Sequence, residues 1–435
     1  MKFFEKKINK EKNYLLKKAS QYLKNNNDAL SSLNYLYTNG GSAGYYKLKT
    51  LELNVNRLKY LSEYMKEVGA NFFKSFDLKI ITNGYFKNSY KNIYLTWGNK
   101  TNFSKNGIFN DKYFGKSSND IENLWIIIYE DHLIPKTITN NIILVLPKKN
   151  NFSIFCFIKN ILSIFKSSTF SSFNFFRYLP FSSVFASSVS KNLLPLINHI
   201  NFKNIYIPYE SQPFQQYFIQ NIKLNLKKNI KVIGYIHSFL PALPTYYIFR
   251  KFSPDQILVH GSFQKRILVK YLGWKKKQIQ VIKSLRFKKK DHLTKNYFFI
   301  SYNLSKNFNK NLINFELFLK KVENFKYKNC DIKIHPAKKD DVKHINLELK
   351  IKKIISKFSK KFSRNKFSKK INFCFGESSV IIESLERGVE VIHFSQDPVL
   401  EVFVGDLWQN IVVKEISKNV YHYKLKKKGL YLKFK

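Results

Sequence analysis

From residue 204 onward the chain alternates short apolar runs with amphipathic segments, and this alternation limits the possible folds more than any other feature. NIYIPY (204–209) reads as a buried strand, 212–226 has helical periodicity, and KVIGYIH (231–237) reads as the next strand. The unit then repeats. SPDQILVHG (253–261) is strand-like, Ser262 is placed to cap a helix over 263–272 that Gly273 ends, and QIQVIKS (278–284) is a further strand. Strands separated by such helices pack as a parallel, doubly wound sheet. After the polar, lysine-rich passage RFKKKDHLTKN (286–296) the pattern restarts with YFFISYN. A helix over 311–325, CDIKIHP (330–336) and INFCFGESSVIIESLERGVEVIHF (371–394) follow.

The expected fold class is therefore α/β, with two Rossmann-like doubly wound parallel-sheet domains facing a cleft. The N-terminal domain is expected over 1–288 and the C-terminal one over 289–435. A chain of 435 residues exceeds the roughly 250–300 at which single cores stop growing. In the first third, 51–68 has helical spacing, and NLWIIIYED (123–131) and NIILVLP (141–147) read as strands. The Gly-rich stretch 39–44 lacks G-x-G-x-x-G spacing and reads as a plain loop.

Hydrophobic content of 44% and aromatic content of 17% are enough to fund a folded core. The net charge of +47 is nearly all lysine spread through every segment, mixed with Asn, Ile, Phe and Tyr. That is the composition an A+T-rich genome writes at tolerant positions. Readers of nucleic acid favour arginine, so no nucleic acid is expected as partner, and an anionic inner membrane contacted peripherally or an acidic glycan is left as partner for the charge. Cys156, Cys330 and Cys374 lie far apart with no C-x-x-C, which fits a reducing compartment. The N-terminus MKFFEKKINKEKNYLLKK has no apolar signal region, so a cytoplasmic protein is expected. The uncharged window 232–249 contains Pro241 and Pro244 and is a poor span. The Phe- and Ile-rich stretch 152–185 is divided by Lys159, Lys166 and Arg177, and reads as buried or membrane-apposed surface.

Four constellations fall where predicted strands end. Glu210, in Tyr209-Glu210-Ser211-Gln212-Pro213, is placed either as a helix-start carboxylate or as a general base for an acceptor hydroxyl. His237 ends the next strand and is able to orient Glu210, hold the acceptor or act as the base; a packing role is the plainer alternative. Lys333-Ile334-His335-Pro336 puts an imidazole at a third strand end, where it is able to donate to a phosphate. Gly376-Glu377-Ser378-Ser379 opens a helix that carries Glu383 about one turn in. Such a helix start either caps itself or binds phosphate, and Glu383 is then in reach of a ribose hydroxyl.

The run from IYIPYESQPF through GYIHS, PDQILVHG and Ser284-Leu285-Arg286 resembles bacterial surface-carbohydrate biosynthesis proteins of the O-antigen and capsule type. The HP and SS elements are similar to those of bacterial sialyltransferases, polysialyltransferases and capsule transferases, and more loosely to those of teichoic-acid glycerophosphate polymerases. The resemblance covers roughly 200–395, with NDKYFGKSS (110–118) a vaguer match. It implies a GT-B glycosyltransferase moving sugar from a nucleotide donor, CMP-linked, to a surface-polysaccharide or lipid-linked acceptor. By the same resemblance His335, Ser378 and Ser379 hold the donor phosphate, with Glu383 near the ribose. Pro336, Gly376 and Lys333 are counted with this donor site, and Arg286 is placed either to contact a donor carboxylate or phosphate or to form a plain salt bridge. Where sialyltransferases of this kind carry an acidic D/E-D/E-G motif for the base this chain has no copy, and Glu210 takes the place. No D-x-D occurs in a strand context, so neither metal nor cofactor is expected. The alternatives are a CDP-polyol phosphotransferase and a non-catalytic protein binding an anionic membrane or nucleic acid.

Overall fold

The computed structural model describes residues 3–25, 28–30, 57–84, 86–129, 131, 133–149, 151–167, 178–226, 229–288, 296–302, 308–321, 330–359 and 371–435. The Gly-rich stretch 39–44 and most of the linker 286–296 lie outside them. Helix α1 (Phe3–Asn25) and α2 (Arg57–Gly69) precede the first sheet. That sheet is built from β1 (Lys74–Thr82), β2 (Asn92–Gly98), β3 (Asn123–Tyr129) and β4 (Ile142–Lys149), then, after α3 (Ile154–Ser167) and α4 (Phe181–Asn198), from β5 (Asn204–Pro208). Next come α5 (Pro213–Asn225), β6 (Lys231–Tyr235), β7 (Gln256–Val259), α6 (Ser262–Tyr271) and β8 (Ile279–Val281). The second sheet comprises β9 (Asn296–Ile300), α7 (Phe308–Lys321), β10 (Cys330–Ile334), α8 (Val342–Ser359), β11 (Ile371–Phe375), α9 (Val380–Glu386), β12 (Glu390–Phe394), α10 (Pro398–Glu401), β13 (Ile411–Ser417) and β14 (Val420–Leu425).

The α/β class with two mainly parallel sheets is what the structure shows. The first sheet runs β1-β4-β3-β2-β5-β6-β7-β8, antiparallel only at its β1 edge. The second runs β10-β9-β11-β12-β14-β13, with β14 and β13 antiparallel. In each sheet the winding reverses once, between β2 and β5 and between β9 and β11. Such reversals open a crevice outside the carboxyl ends of the strands, because the flanking connections leave to opposite faces. Glu210 follows β5, and Gly376 follows β11.

Buried apolar side chains on both faces explain why the central strands carry nearly unbroken apolar runs: β3 is buried at every position. Each sheet has apolar clusters of its own, and a further one spans both halves. That cluster joins Leu15, Leu16 and Leu23 of α1, Ile236 to Ile248 after β6, and Ile381, Leu400, Trp408 and Tyr423 of the second half. The C-terminal tail returns to the first sheet: Lys433 N donates to His260 O at 2.9 Å, and Ser284 N donates to Lys433 O at 2.7 Å. Both termini thus cross the proposed division at 288/289.

One expected cap differs. Ser262 is the first helical residue of α6 rather than its cap, and Gly261 in the cap position makes no side-chain bond. Leu430 O from the tail instead accepts from Phe263 N at 3.0 Å. A Cβ on residue 261 would lie 2.2 Å from that carbonyl oxygen, so the position needs glycine. Gly273, at φ +79°, ends the helix as expected. The uncharged window 232–249 is not a span but β6 followed by a buried loop with one 3-10 turn at Thr245–Tyr247. Among the described residues no helix is long and apolar enough to cross a membrane.

Candidate functional site

The turn after β5 is built around a strained residue. Ser211 has φ 56°, a left-handed conformation that costs a non-glycine residue about 1–3 kcal/mol unless its surroundings enforce it. Arg250, buried, enforces it by donating from Nη2 to Ser211 O at 3.1 Å and to Ser211 Oγ. Gln216 Nε2 donates to the same Oγ at 3.2 Å. Gln215 closes the turn, accepting from Glu210 N at 3.0 Å and donating to Pro208 O at 2.8 Å. The backbone of Glu210 is thereby fixed, and its carboxylate accepts from Gln212 Nε2 at 2.8 Å while staying 37% exposed. The cap of α5 is Gln212, so Glu210 is not the helix-start residue.

Because β5 and β6 are adjacent and parallel, the chain leaving β6 brings His237 to Glu210, with Nε2 3.5 Å from Oε1. His237 is only 7% exposed on its side chain. Tyr113 packs edge-on against its ring at 4.5 Å, and its Nδ1 is buried without a hydrogen-bond partner. Burial, reinforced by the positive potential of Arg286 and by His260, holds His237 well below the usual imidazole range. It is a neutral ring at physiological pH.

Tyr113 belongs to the 110–118 tract, which Asp111 folds by accepting from Thr96 Oγ1 at 2.6 Å and from Tyr113 N at 2.8 Å. Gly115, at φ +59°, lets this tract approach Leu285: a Cβ there would sit 2.6 Å from Leu285 O. Ser284 Oγ accepts from Arg286 N at 3.1 Å and Phe287 N at 2.8 Å, shaping the turn that exposes Arg286.

Arg286 joins the two halves electrostatically. Its charge acts on His237 and also on His335, beyond β10, whose basicity is lowered first by its surroundings, then by Arg286, His344 and Lys338. His335 is nevertheless an exposed side chain, set edge-on to Tyr302 at 5.2 Å, with Pro336 opening a 3-10 turn behind it. Beside it Lys338 Nζ lies 4.8 Å from the Tyr302 ring. At the other side of the β9/β11 reversal Gly376 takes φ +74°, and Ser378 Oγ accepts from Val380 N at 3.3 Å. Ser379 makes no side-chain cap bond. Both serines are half-buried.

Two other candidates have partners of their own. Glu383 Oε1 accepts from Arg387 Nε at 3.0 Å and Nη2 at 2.9 Å. Lys333 Nζ lies 3.8 Å from the Tyr297 ring centroid. Among the described residues no three His, Cys, Asp or Glu side chains are grouped to hold a metal ion.

Sequence reasoning missed a buried polar cluster between the halves. Lys12 Nζ of α1 donates to Ala242 O at 2.9 Å and to Val402 O. Trp408 Nε1 also donates to Ala242 O, at 3.1 Å, and Ala242 N donates to Glu377 Oε1 at 2.6 Å. Burial lowers Lys12 to about 7, against the pull of Glu377 and Asp397, and raises Glu377 to about 8. Glu377 stands between Gly376 and Ser378, so this cluster ties the loop after β6 to the turn after β11. Lys12 reads in sequence as one more surface lysine, and only its position on the inner face of α1 distinguishes it.

No protein-family model matches the chain, and no curated protein matches it in sequence. Among solved structures it is similar to one described as "Trehalose-6-phosphate from E. coli bound with UDP-2-fluoro glucose", at 11% identity, covering 65% of this chain and 77% of that one, with a TM-score of 0.34. At that level the likeness says nothing about what this chain binds.

Proposed function

We propose that the protein is a GT-B-type glycosyltransferase that moves a sugar from a nucleotide donor, CMP-linked, to a surface-polysaccharide or lipid-linked acceptor on the cytoplasmic side of a membrane. The observation carrying this reading is the pairing of Glu210 with a buried, neutral His237 at one strand-end crevice, with Arg286 acting on both that pair and His335. Glu210 is the more exposed of the pair and serves as the general base. It takes the proton of the acceptor hydroxyl as that oxygen forms a bond to the anomeric carbon. His237 orients it, donating from Nε2 to the carboxylate. The bond from the anomeric carbon to the phosphate oxygen breaks, and the nucleotide leaves with that electron pair.

His335 supplies a hydrogen-bond donor, and Arg286 and Lys338 positive charge, where negative charge grows on the departing phosphate. Gly376, Ser378 and Ser379 form the other wall of that donor site, with Pro336 fixing the backbone behind His335. Lys333, over the Tyr297 ring, and Glu383, paired with Arg387, support this site from behind. The test is titration with labelled CMP-, UDP- and GDP-sugars. Binding of one of them, weakened about tenfold or more in His335→Ala by loss of a charge-assisted bond, is the expected result. No binding, or an indistinguishable variant, removes the donor site.

A further inference from the structure

Helix α3 carries apolar side chains on its outer face as well as its inner one. Its inward face carries Cys156, Asn160 and Ile164, all buried, and is fastened by polar bonds: Asn160 Nδ2 donates to Lys74 O at 2.7 Å and Asn71 O at 3.2 Å. Its outward face carries Ile154, Phe155, Ile158 and Leu162, with Phe155 85% exposed. Phe152 and Phe73, packed edge-on at 5.7 Å and both exposed, extend the same apolar surface beyond the start of the helix. A contiguous exposed patch of this kind is uncommon on a protein that keeps only water around it.

The sequence that carries the patch is basic. No Asp or Glu occurs from residue 132 to residue 209, a stretch that holds α3 and, along the chain, Lys148, Lys149, Lys159, Lys166 and Arg177. On the neighbouring edge strand Lys74 and Lys79 are exposed, and Asp77, the carboxylate that meets the helix, is paired with Lys159 at 2.6 Å. We propose that the outer face of α3 docks on an anionic lipid bilayer, its Phe and Ile side chains entering the boundary between headgroups and acyl chains and the surrounding lysines meeting the headgroups. Two copies of this chain would set like charges against each other across the same face. A nucleic acid would leave the aliphatic side chains without a partner. This surface lies at the β1 edge of the first sheet and does not depend on the transfer reaction.

The test is co-sedimentation of the full chain with vesicles of phosphatidylcholine and phosphatidylglycerol, compared with phosphatidylcholine alone. The expected result is binding to the anionic vesicles, weakened but not abolished by salt. The double variant Phe155→Glu, Ile158→Glu should lose about tenfold or more of it, because two inserted side chains are replaced by charges. Leu224→Glu, at another exposed apolar position, should bind like the parent. Parent-like melting of the double variant separates lost docking from lost folding. The proposal is overturned if the parent ignores anionic vesicles, if the double variant binds as the parent does, or if the double variant instead abolishes a concentration-dependent dimer.

Discussion

Lys12→Ala lowers stability by about 3 kcal/mol or more in urea unfolding, an expected loss that sums a core cavity and two buried hydrogen bonds to carbonyls. Each carbonyl keeps one other donor, Val404 N at 3.0 Å for Val402 O and Trp408 Nε1 at 3.1 Å for Ala242 O, so the cavity is the larger part of the loss. Lys12→Met refills most of the volume without restoring the donor, so it should fall between Lys12→Ala and the parent. The partner carboxyl behaves differently. With Glu377 raised to about 8 against about 4.5 in the unfolded chain, the folded state keeps its proton while the unfolded chain loses it. The stabilising contribution of this group is complete below pH 4.5 and drains away as the pH rises toward 8, at about 1.4 kcal/mol per unit. Glu377→Gln keeps an acceptor for Ala242 N and removes the titration. The variant should match the parent near pH 5 and become the more stable protein as the pH is raised to 8. A parallel pair of profiles, or a Lys12→Ala protein as stable as the parent, contradicts this account of the cluster.

The second large effect concerns chemistry. Glu210→Gln should cut the transfer rate by about 10²–10⁴-fold, the usual worth of a positioned base, while leaving donor affinity near the parent value because the proposed donor site does not include it. His237→Asn should cost less. Its ring positions the carboxylate and remains neutral through the working range, so the variant should lower turnover without introducing a new ionisation near pH 6.5 in the rate profile. Single-turnover rates across pH 5 to 9 make the comparison. A Glu210→Gln enzyme with undiminished turnover would transfer the base role elsewhere, and an imidazole ionisation in the parent profile that disappears with His237 would make His237 the titrating group.

These two predictions differ in how far the sequence reaches toward them. The strand ends, expected at Tyr209 and His237 and found at Pro208 and Tyr235, and the helix stop at Gly273 follow from local pattern: buried parallel strands demand apolar runs, and a helix end in the left-handed region demands glycine. Neighbouring parallel strands make the meeting of Glu210 with His237 legible too, because consecutive βα units place their carboxyl ends side by side. Charge and helical spacing, by contrast, could not separate Lys12 from the many surface lysines.

What the sequence by itself determined was the class of the fold, the order of the strands from β5 to β8 and the sites where polar side chains emerge from them. These depend on interactions a few residues long, such as periodicity, turn geometry and helix termination. Only the tertiary structure decided that α1 and the C-terminal tail cross between the two sheets, that Leu430 O rather than Ser262 serves the start of α6, that Arg250 holds Ser211 in its strained turn, and that α3 turns Asn160 inward. Each of these joins residues distant in the chain, and burial reassigns their roles: a lysine taken out of water becomes a structural donor, and a helix with apolar residues all round shows its outer face only once its inner one has found the sheet.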